Sequence, residues 1–379
     1  MVAQCRPLID VLAEIRDFRK ARGKRHPLAA VLALVCAALL CGVRSYSAVA
    51  QWARDYDRDL VRALGFTHPQ PPCAATLHTI LANLDRGQVE AKLTAWAHGV
   101  LASRPAPGDA PDAVAIDGKA LRGSQGQGAP DAHLLSALSQ RLGVTLGQQA
   151  VADKTNEIPI TPALLQDLLL TGRIFTMDAL LTQRAIAQAI IDGGGDYVMV
   201  VKTNQPQLYA DIDQVFAMPA AEQEISGTAC TLDKGHGRRE ERRLTASTAL
   251  AGYSDWPGLA QVFQLERRVV DCRTGEITTE AVYGASSLPP SRADAAALLA
   301  LVRGQWRIEN QSHYVRDVTF GEDHSQVRVG SIPELMAAFR NTAIGLLRLS
   351  GERNIAAATR RMAAKPHAAL ALIGITHDF

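Results

Sequence analysis

Apolar positions in the first hundred residues recur at helical spacing. Leu8 to Ile15 predicts one short helix, and Pro27 to Val43 (PLAAVLALVCAALLCGV) a second that is apolar on every face. Tyr46, Val49, Trp52 and Ala53 continue the helical pattern. Thr76 to Leu84 and Val89 to Leu101 predict two more helices, after a Pro-rich turn at His68-Pro69-Gln70-Pro71-Pro72. Residues 104 to 112 (RPAPGDAPD) read as a linker, and beyond them the period changes.

Ala113 to Ile116 predicts a short strand ending on Asp117. Leu134 to Leu142 and Val144 to Ala152 predict two strands joined by a tight turn at Gly143. Thr161 to Leu170 predicts a helix, Arg173 to Met177 a strand ending on Asp178, and Leu180 to Ile191 another helix. The Gly193-Gly194-Gly195 turn then leads into a strand at Tyr197 to Val201. This succession implies a mixed α/β fold around a central sheet. From about 207 to 290 the pattern loosens into an inserted β-rich segment. After an initial helix, its β-like stretches run Arg238 to Thr245, Ala260 to Val270 and Ile277 to Ala285. Helical periodicity returns from Ser291 to Val318 and again from Pro333 to Leu347. The expected division is a helical domain over 1–103, a linker over 104–112 and an α/β domain over 113–379.

A chain of 379 residues with 47% hydrophobic residues has room for more than one domain and a sizeable core. A net charge of +2 does not by itself mark a nucleic-acid binder, but the distribution is uneven. RDFRKARGKRH, from Arg16 to His26, carries six Lys/Arg against one Asp. KGHGRREERR, from Lys234 to Arg243, carries five Lys/Arg and two Glu. Such runs can neutralise phosphates, or simply form solvated faces. The six cysteines form no CxxC pair and read as free thiols in a reducing compartment. Pro27 to Val43 is 17 residues, short of the roughly 20 of a membrane span, and reads as a buried core helix; no membrane partner is expected. No signal peptide is expected, since Asp10, Glu14 and Asp17 precede any long apolar run.

Two carboxylates follow directly on apolar strands: Asp117 in AIDGKALRGS and Asp178 in IFTMDALLTQ. Open α/β sheets place their chemistry at this carboxyl edge. If the strands are neighbours, the two acids can share a cation. Either aspartate alone could equally be a turn or helix-cap residue. In RGQWRIENQSHYVRDV, Trp306, Glu309, His313 and Arg316 fall within an arc of about 80° on an ideal helix, a polar stripe that suggests a site. Lys119, Arg122 and Lys202 lie just after strands and are candidates to clamp a DNA backbone; Arg316 is a candidate phosphate contact. His236, between two glycines, suits a loop contact to DNA or a solvent-exposed turn. A zinc site is the competing metal reading, but Glu309 and His313 do not belong to an HExxH motif. No Walker A motif, GxGxxG fingerprint or GxSxG elbow is present, so no nucleotide cofactor is expected.

These residues resemble the DDE insertion-sequence transposases, in the branch of the H-repeat-associated proteins. LIDVLAEIRDFRKARGKRHPLAAVLAL and SYSAVAQWARD resemble that branch's associated N-terminal domain. AIDGKALRGS, HLLSALSQ, LGQQAVADKTNEI, FTMDALLTQ, YVMVVKTNQPQL, KGHGRREERR, WRIENQSHYVRDVTFGEDHS and VRVG follow its catalytic domain in order. The resemblance implies an RNase H-like core with a β-rich insertion. It implies a triad of Asp117, Asp178 and Glu309 holding Mg2+ or Mn2+, in two ions. Around the last acid the superfamily carries Tyr, Arg and Lys; here those places are Val302, Gln305 and Arg316.

The expected function is transposition: metal-dependent cleavage at element ends, then strand transfer into target DNA. Double-stranded DNA is the expected partner and a homodimer on DNA the expected assembly, in a bacterial-type, nucleoid-associated cytoplasmic setting. Arg19, Lys20, Arg22, Lys24 and Arg25 in the helical domain, with Arg238, Trp306 and His313 in the other, complete the expected DNA contacts. The alternatives are a metal-dependent nuclease of the same fold, a catalytically idle DNA-binding derivative, and a helical membrane-associated protein.

Overall fold

The computed structural model describes residues 6–56, 58–106, 112–125, 132–151, 157–235 and 237–376. Cys5, His236 and linker residues 107–111 lie outside these. The chain divides into two compact units: Met1–Gly108 with Gly118–Glu157 and Ile308–Phe379, and Asp109–Asp117 with Ile158–Arg307.

The first unit is mainly helical. Its N-terminal part holds α1 (Leu8–Ala13), α2 (Leu28–Leu40), α3 (Tyr46–Asp55), α4 (Arg58–Ala63), α5 (Ala74–Asn83) and α6 (Arg86–Ser103). Ser45 caps α3 by accepting from Ala48 N at 3.2 Å, and Asp85 caps α6 by accepting from Gln88 N at 3.1 Å. Every residue of α2 except Ala29 is buried. An apolar window over Ala21–Leu40 is 72% buried within the protein, as a core helix would be. Around α2 pack α1, α3, and three C-terminal helices: α12 (Ile332–Leu349), α13 (Ile355–Ala364) and α14 (Pro366–Leu372). The sequence pattern did not announce α4, α13 or α14; all are short, and α4 has only six residues.

This unit also holds the hairpin of β2 (Ala132–Ser139) and β3 (Thr145–Val151), in antiparallel register from His133↔Val151 to Leu138↔Thr145. Gly143 makes its turn at φ +65°, a region that favours glycine. α6 and α12 pack on β3.

The second unit is built on a mixed sheet. β1 (Asp112–Leu121, its last four residues assigned to the first unit), β4 (Arg173–Met177) and β5 (Asp196–Val201) are parallel neighbours. β9 (Ile277–Ser286) then pairs antiparallel with β5, followed in space by β8 (Gln261–Asp271), β7 (Arg238–Ser247) and β6 (Ile225–Gly235). The β-rich insertion is therefore an extension of the central sheet. All five residues of β4 are buried, as a strand covered on both faces requires. α8 (Arg184–Asp192) and α9 (Pro206–Ala217) accompany the sheet, with α7 (Glu157–Asp167) preceding β4. Leu298, Leu299 and Val302 of α10 (Ala295–Ile308) pack on Ile174, Val198, Leu244 and Phe263.

Several boundaries differ from the expectation. β1 does not end on Asp117 but runs to Leu121; only its pairing with β4 stops at Ile116. The helix expected from Leu180 begins at Arg184, because Asp178 to Thr182 form a turn. The helix expected from Ser291 begins at Ala295 and is interrupted by a π turn, Glu309–His313, before α11 (Tyr314–Val318). β6 was not expected; it is the sheet's edge, with alternate residues exposed and few large apolar side chains.

Candidate active site

β1 and β4 end their parallel pairing with Ile116 opposite Met177. Asp117 and Asp178 are the next residue on each path, so both carboxylates leave one sheet edge from neighbouring strands, which lie about 4.8 Å apart. Val114, Ala115, Ile116, Phe175 and Met177 are buried to 0–1% exposure and fix both strands behind the acids. Asp117 is half-buried and Asp178 exposed. Asp178 also organises its turn: Oδ1 accepts from Leu181 N at 3.2 Å, and its carbonyl accepts from Thr182 Oγ1 at 2.9 Å. A cap role and a presented carboxylate coexist in this residue.

Gln305, on α10, ties the two strands together just behind the aspartates. Its Nε2 donates to the Ile116 carbonyl at 2.8 Å, and its Oε1 accepts from Thr176 Oγ1 at 2.5 Å. In the sequence Gln305 stands out only as a departure from a family arginine. Nothing in the sequence alone reveals that its amide spans two strands.

In the first unit, Glu309 opens the π turn. Its Oε2 lies 3.2 Å from Nδ1 of His313. The Glu309 side chain is 53% exposed and that of His313 3%. The hydrogen bond from His313 holds the Glu309 carboxyl below its ordinary range, against a smaller opposing effect of burial; the charge of Lys119 adds to the lowering. Burial pushes His313 down and outweighs the pull of Glu309, so the imidazole is neutral. A carboxylate only accepts, so Nδ1 carries the proton in this pair.

The expected polar stripe is not one uniform face. Trp306 is 68% exposed, Glu309 is half-exposed, and His313 and Arg316 are 2% and 0% exposed. The π turn inserts an extra residue and shifts the phase of everything after it. Arg316 faces inward: its Nη2 lies 2.6 Å from Glu322 Oε2, while Arg340 Nη1 lies 2.8 Å from Glu322 Oε1. Lys119 is likewise engaged, 2.7 Å from Asp317 Oδ2 and 3.7 Å from Asp323 Oδ1. Burial raises the Asp317 carboxyl even though Lys119 opposes it.

The other expected DNA contacts are on the surface. Arg122 sits in a 3-10 turn after β1, Lys202 follows β5 and Arg238 opens β7; all three are exposed. Lys20, Arg22, Lys24 and Arg25 are exposed around a 3-10 turn at Ala21–Gly23. Arg19 is held by Asp17 at 2.8 Å and by the His26 carbonyl at 2.7 Å.

One further pair escaped sequence reading. His133 Nε2 hydrogen-bonds Glu157 Oε1, and both are buried. The Glu157 carboxylate lies against Gly118, the residue after Asp117, where an added Cβ would come within 2.5 Å of its Cδ.

Residues 108–344 match the family described as Transposase DDE domain, and residues 9–97 match the one described as DDE_Tnp_1-associated. YncI of Escherichia coli O157:H7, a transposase candidate by its name, is 28% identical over 352 residues, covering 90% of this chain and 87% of that one. YhhI of Escherichia coli K12, named as an H repeat-associated transposase candidate, is 26% identical, with 91% of each chain covered. A protein of Xanthobacter autotrophicus, named only by its position in the dhlA 3′ region, is 31% identical over 272 residues, 71% of this chain and 90% of that one. Among solved structures, a cryo-EM structure of piggyBac transposase in a synaptic complex with hairpin DNA covers 96% of this chain and 76% of its own, at 11% identity and a TM-score of 0.40.

Proposed function

From its membership of the DDE transposases, the family to which this chain belongs, we propose that the protein cuts DNA at the ends of a mobile element and joins those ends to target DNA. The fold is that family's: an RNase H-like α/β core with a β-rich insertion, preceded by a helical region. Asp117, Asp178 and Glu309 are the proposed catalytic, cation-holding residues. The observation that carries this reading is the placement of Asp117 and Asp178 at one edge of adjacent parallel strands, one residue beyond the Ile116↔Met177 pair.

The residues suit a divalent cation. All three donors are carboxylates, the ligand chemistry of hard cations such as Mg2+ and Mn2+. Glu309 is held ionised by the His313 hydrogen bond. Asp117, Asp178 and Glu309 would hold two such ions, whose chemistry would be to activate an attacking oxygen and to stabilise a leaving 3′ oxygen. The protein's own part is positioning. β1 and β4 fix two of the acids on rigid strands, and buried, neutral His313 orients the third through Nδ1–H.

Exposed Arg122, Lys202, Arg238 and Trp306 are proposed to contact the DNA backbone, with His236, which lies outside the described residues. Lys20, Arg22, Lys24 and Arg25 are proposed to hold element ends through residues 1–103. Arg19, Lys119, His313 and Arg316 are assigned supporting roles instead, because each is engaged with a protein partner. Joining two ends calls for two copies of the chain on DNA, in a nucleoid-associated setting.

The test uses purified protein, Mg2+, fragments carrying the element's own ends and a supercoiled target plasmid. The expected result is cut ends and joined products, both lost in Asp117→Asn and Asp178→Asn while end binding persists. Cut ends that never join would leave a nuclease; cleavage retained by Asp117→Asn would overturn the assignment of the acids.

A further inference from the structure

We propose that Gln305 is a positioning residue: a two-strand clasp that sets the separation of Asp117 and Asp178 and so the tightness of their cation site. The inference rests on the proposed role of those two acids as cation ligands. Its physical basis is the split use of one amide. The Ile116 carbonyl can only accept, so it takes the Nε2–H of Gln305 at 2.8 Å. The Oε1 is left to accept from Thr176 Oγ1 at 2.5 Å. Ile116 is the residue directly before Asp117, and Thr176 lies two before Asp178. The clasp therefore sits at the last turn of support behind each carboxylate.

A glutamine amide both donates and accepts, which is what this bridge uses. A carboxylate could not donate to Ile116, and an aliphatic side chain could do neither. The main-chain pairing of β1 with β4 stops at Ile116↔Met177, so beyond that pair it no longer fixes the distance between the strands. Gln305 acts at that point. α10 itself is anchored through Leu298, Leu299 and Val302 in the sheet's core, which makes the helix a rigid mount for the amide. Two oxygen donors shared by one ion need a fixed spacing. Groups hydrogen-bonded to metal ligands commonly contribute about 10- to 100-fold to metal affinity, and Gln305, acting through the backbone next to Asp117 and through Thr176, should fall at the low end of that range.

The experiment is direct titration of the full chain with Mn2+, read by calorimetry or by the free-Mn2+ electron spin signal. Wild type, Gln305→Leu, Thr176→Val, the double variant and Asp117→Asn are compared. Thermal unfolding in chelator reports the fold of each. The expected result is Mn2+ binding that is lost in Asp117→Asn and weakened about tenfold in Gln305→Leu. Thr176→Val should weaken it less, and the double variant should be no worse than Gln305→Leu, since both remove the same clasp. A merely structural role would lower the unfolding temperature in chelator and leave the affinity of the folded fraction unchanged. Binding that is lost in Asp117→Asn but unaffected by Gln305→Leu and Thr176→Val overturns the clasp and leaves the acids in place. If the wild type binds no Mn2+, or binds it independently of Asp117, the reading of the acids fails and the clasp fails with it. Should Gln305→Leu not fold, the milder Thr176→Val decides alone.

Discussion

Arg316 and Glu322 form an ion pair closed to solvent, with Nη2 and Oε2 2.6 Å apart and side chains 0% and 2% exposed. Arg340 joins the other carboxylate oxygen at 2.8 Å, so one carboxylate offsets two buried guanidinium groups. Burial pushes the Glu322 carboxyl up, but the attraction of Arg316 and Arg340 outweighs it and leaves it below its ordinary value. Burial also pulls Arg340 down, yet an arginine starts so high that it stays charged.

Glu322→Gln should therefore destabilise the fold by about 3–5 kcal/mol near neutral pH, because it strands buried charge. Chemical denaturation of the full chain measures this. The sign with pH follows from the lowered carboxyl. Its stabilisation is complete above the unfolded value near 4.5 and is lost as pH falls through the lower folded value. The gap between wild type and Glu322→Gln should shrink in that acid window, and a gap independent of pH would contradict the pairing.

Gly118→Ala should cost about 1–3 kcal/mol, the usual range for overpacking. The new methyl would press on the Glu157 carboxylate, whose Oε1 is also hydrogen-bonded to His133. Glu157→Ala opens that space and should recover part of the loss in the double variant. Unchanged stability in Gly118→Ala would mean that the Glu157 carboxylate moves aside freely.

Neutralising Lys20, Arg22, Lys24 and Arg25 together should weaken binding to element ends and flatten its salt dependence. Each phosphate that is no longer neutralised lowers the slope of log K against log salt by about 0.9, so about 3–4 for all four. Fluorescence anisotropy across a salt series gives the slope. An unchanged slope would remove the run from the interface.

Thiol labelling of the native protein, mapped by mass spectrometry, should modify Cys73, Cys230 and Cys272 quickly. Cys36 and Cys41 should react only on unfolding, since burial pushes both thiols to about 12. Rapid native labelling of Cys36 would mean that α2 is not a core helix.

The sequence was most legible where local pattern and burial agree. Arg173–Met177, with Ile174, Phe175 and Met177 as its apolar residues, is wholly buried and ends where the pattern placed it. The apolar α2 likewise proved a core helix. The sequence placed Asp117 and Asp178 beside strands, and the structure adds why they meet: a parallel register that no local window contains. β6 was invisible because an edge strand with polar alternate positions looks like a loop. The residues from Trp306 to Arg316 do not share one ideal helical face because a π turn at Glu309–His313 breaks the helical phase. Gln305 was overlooked as a clasp because its partners lie 189 and 129 residues away.

The π turn also constrains the length of the chain around it. A helix tolerates loss of a residue poorly because everything beyond the cut rotates by about 100°. Here Glu309 lies at the start of the irregular turn and Arg316 lies just beyond it, locked to Glu322. Removing one residue from 310–312 would restore a regular helical phase, yet would turn Arg316 by about 100° away from its pairing with Glu322.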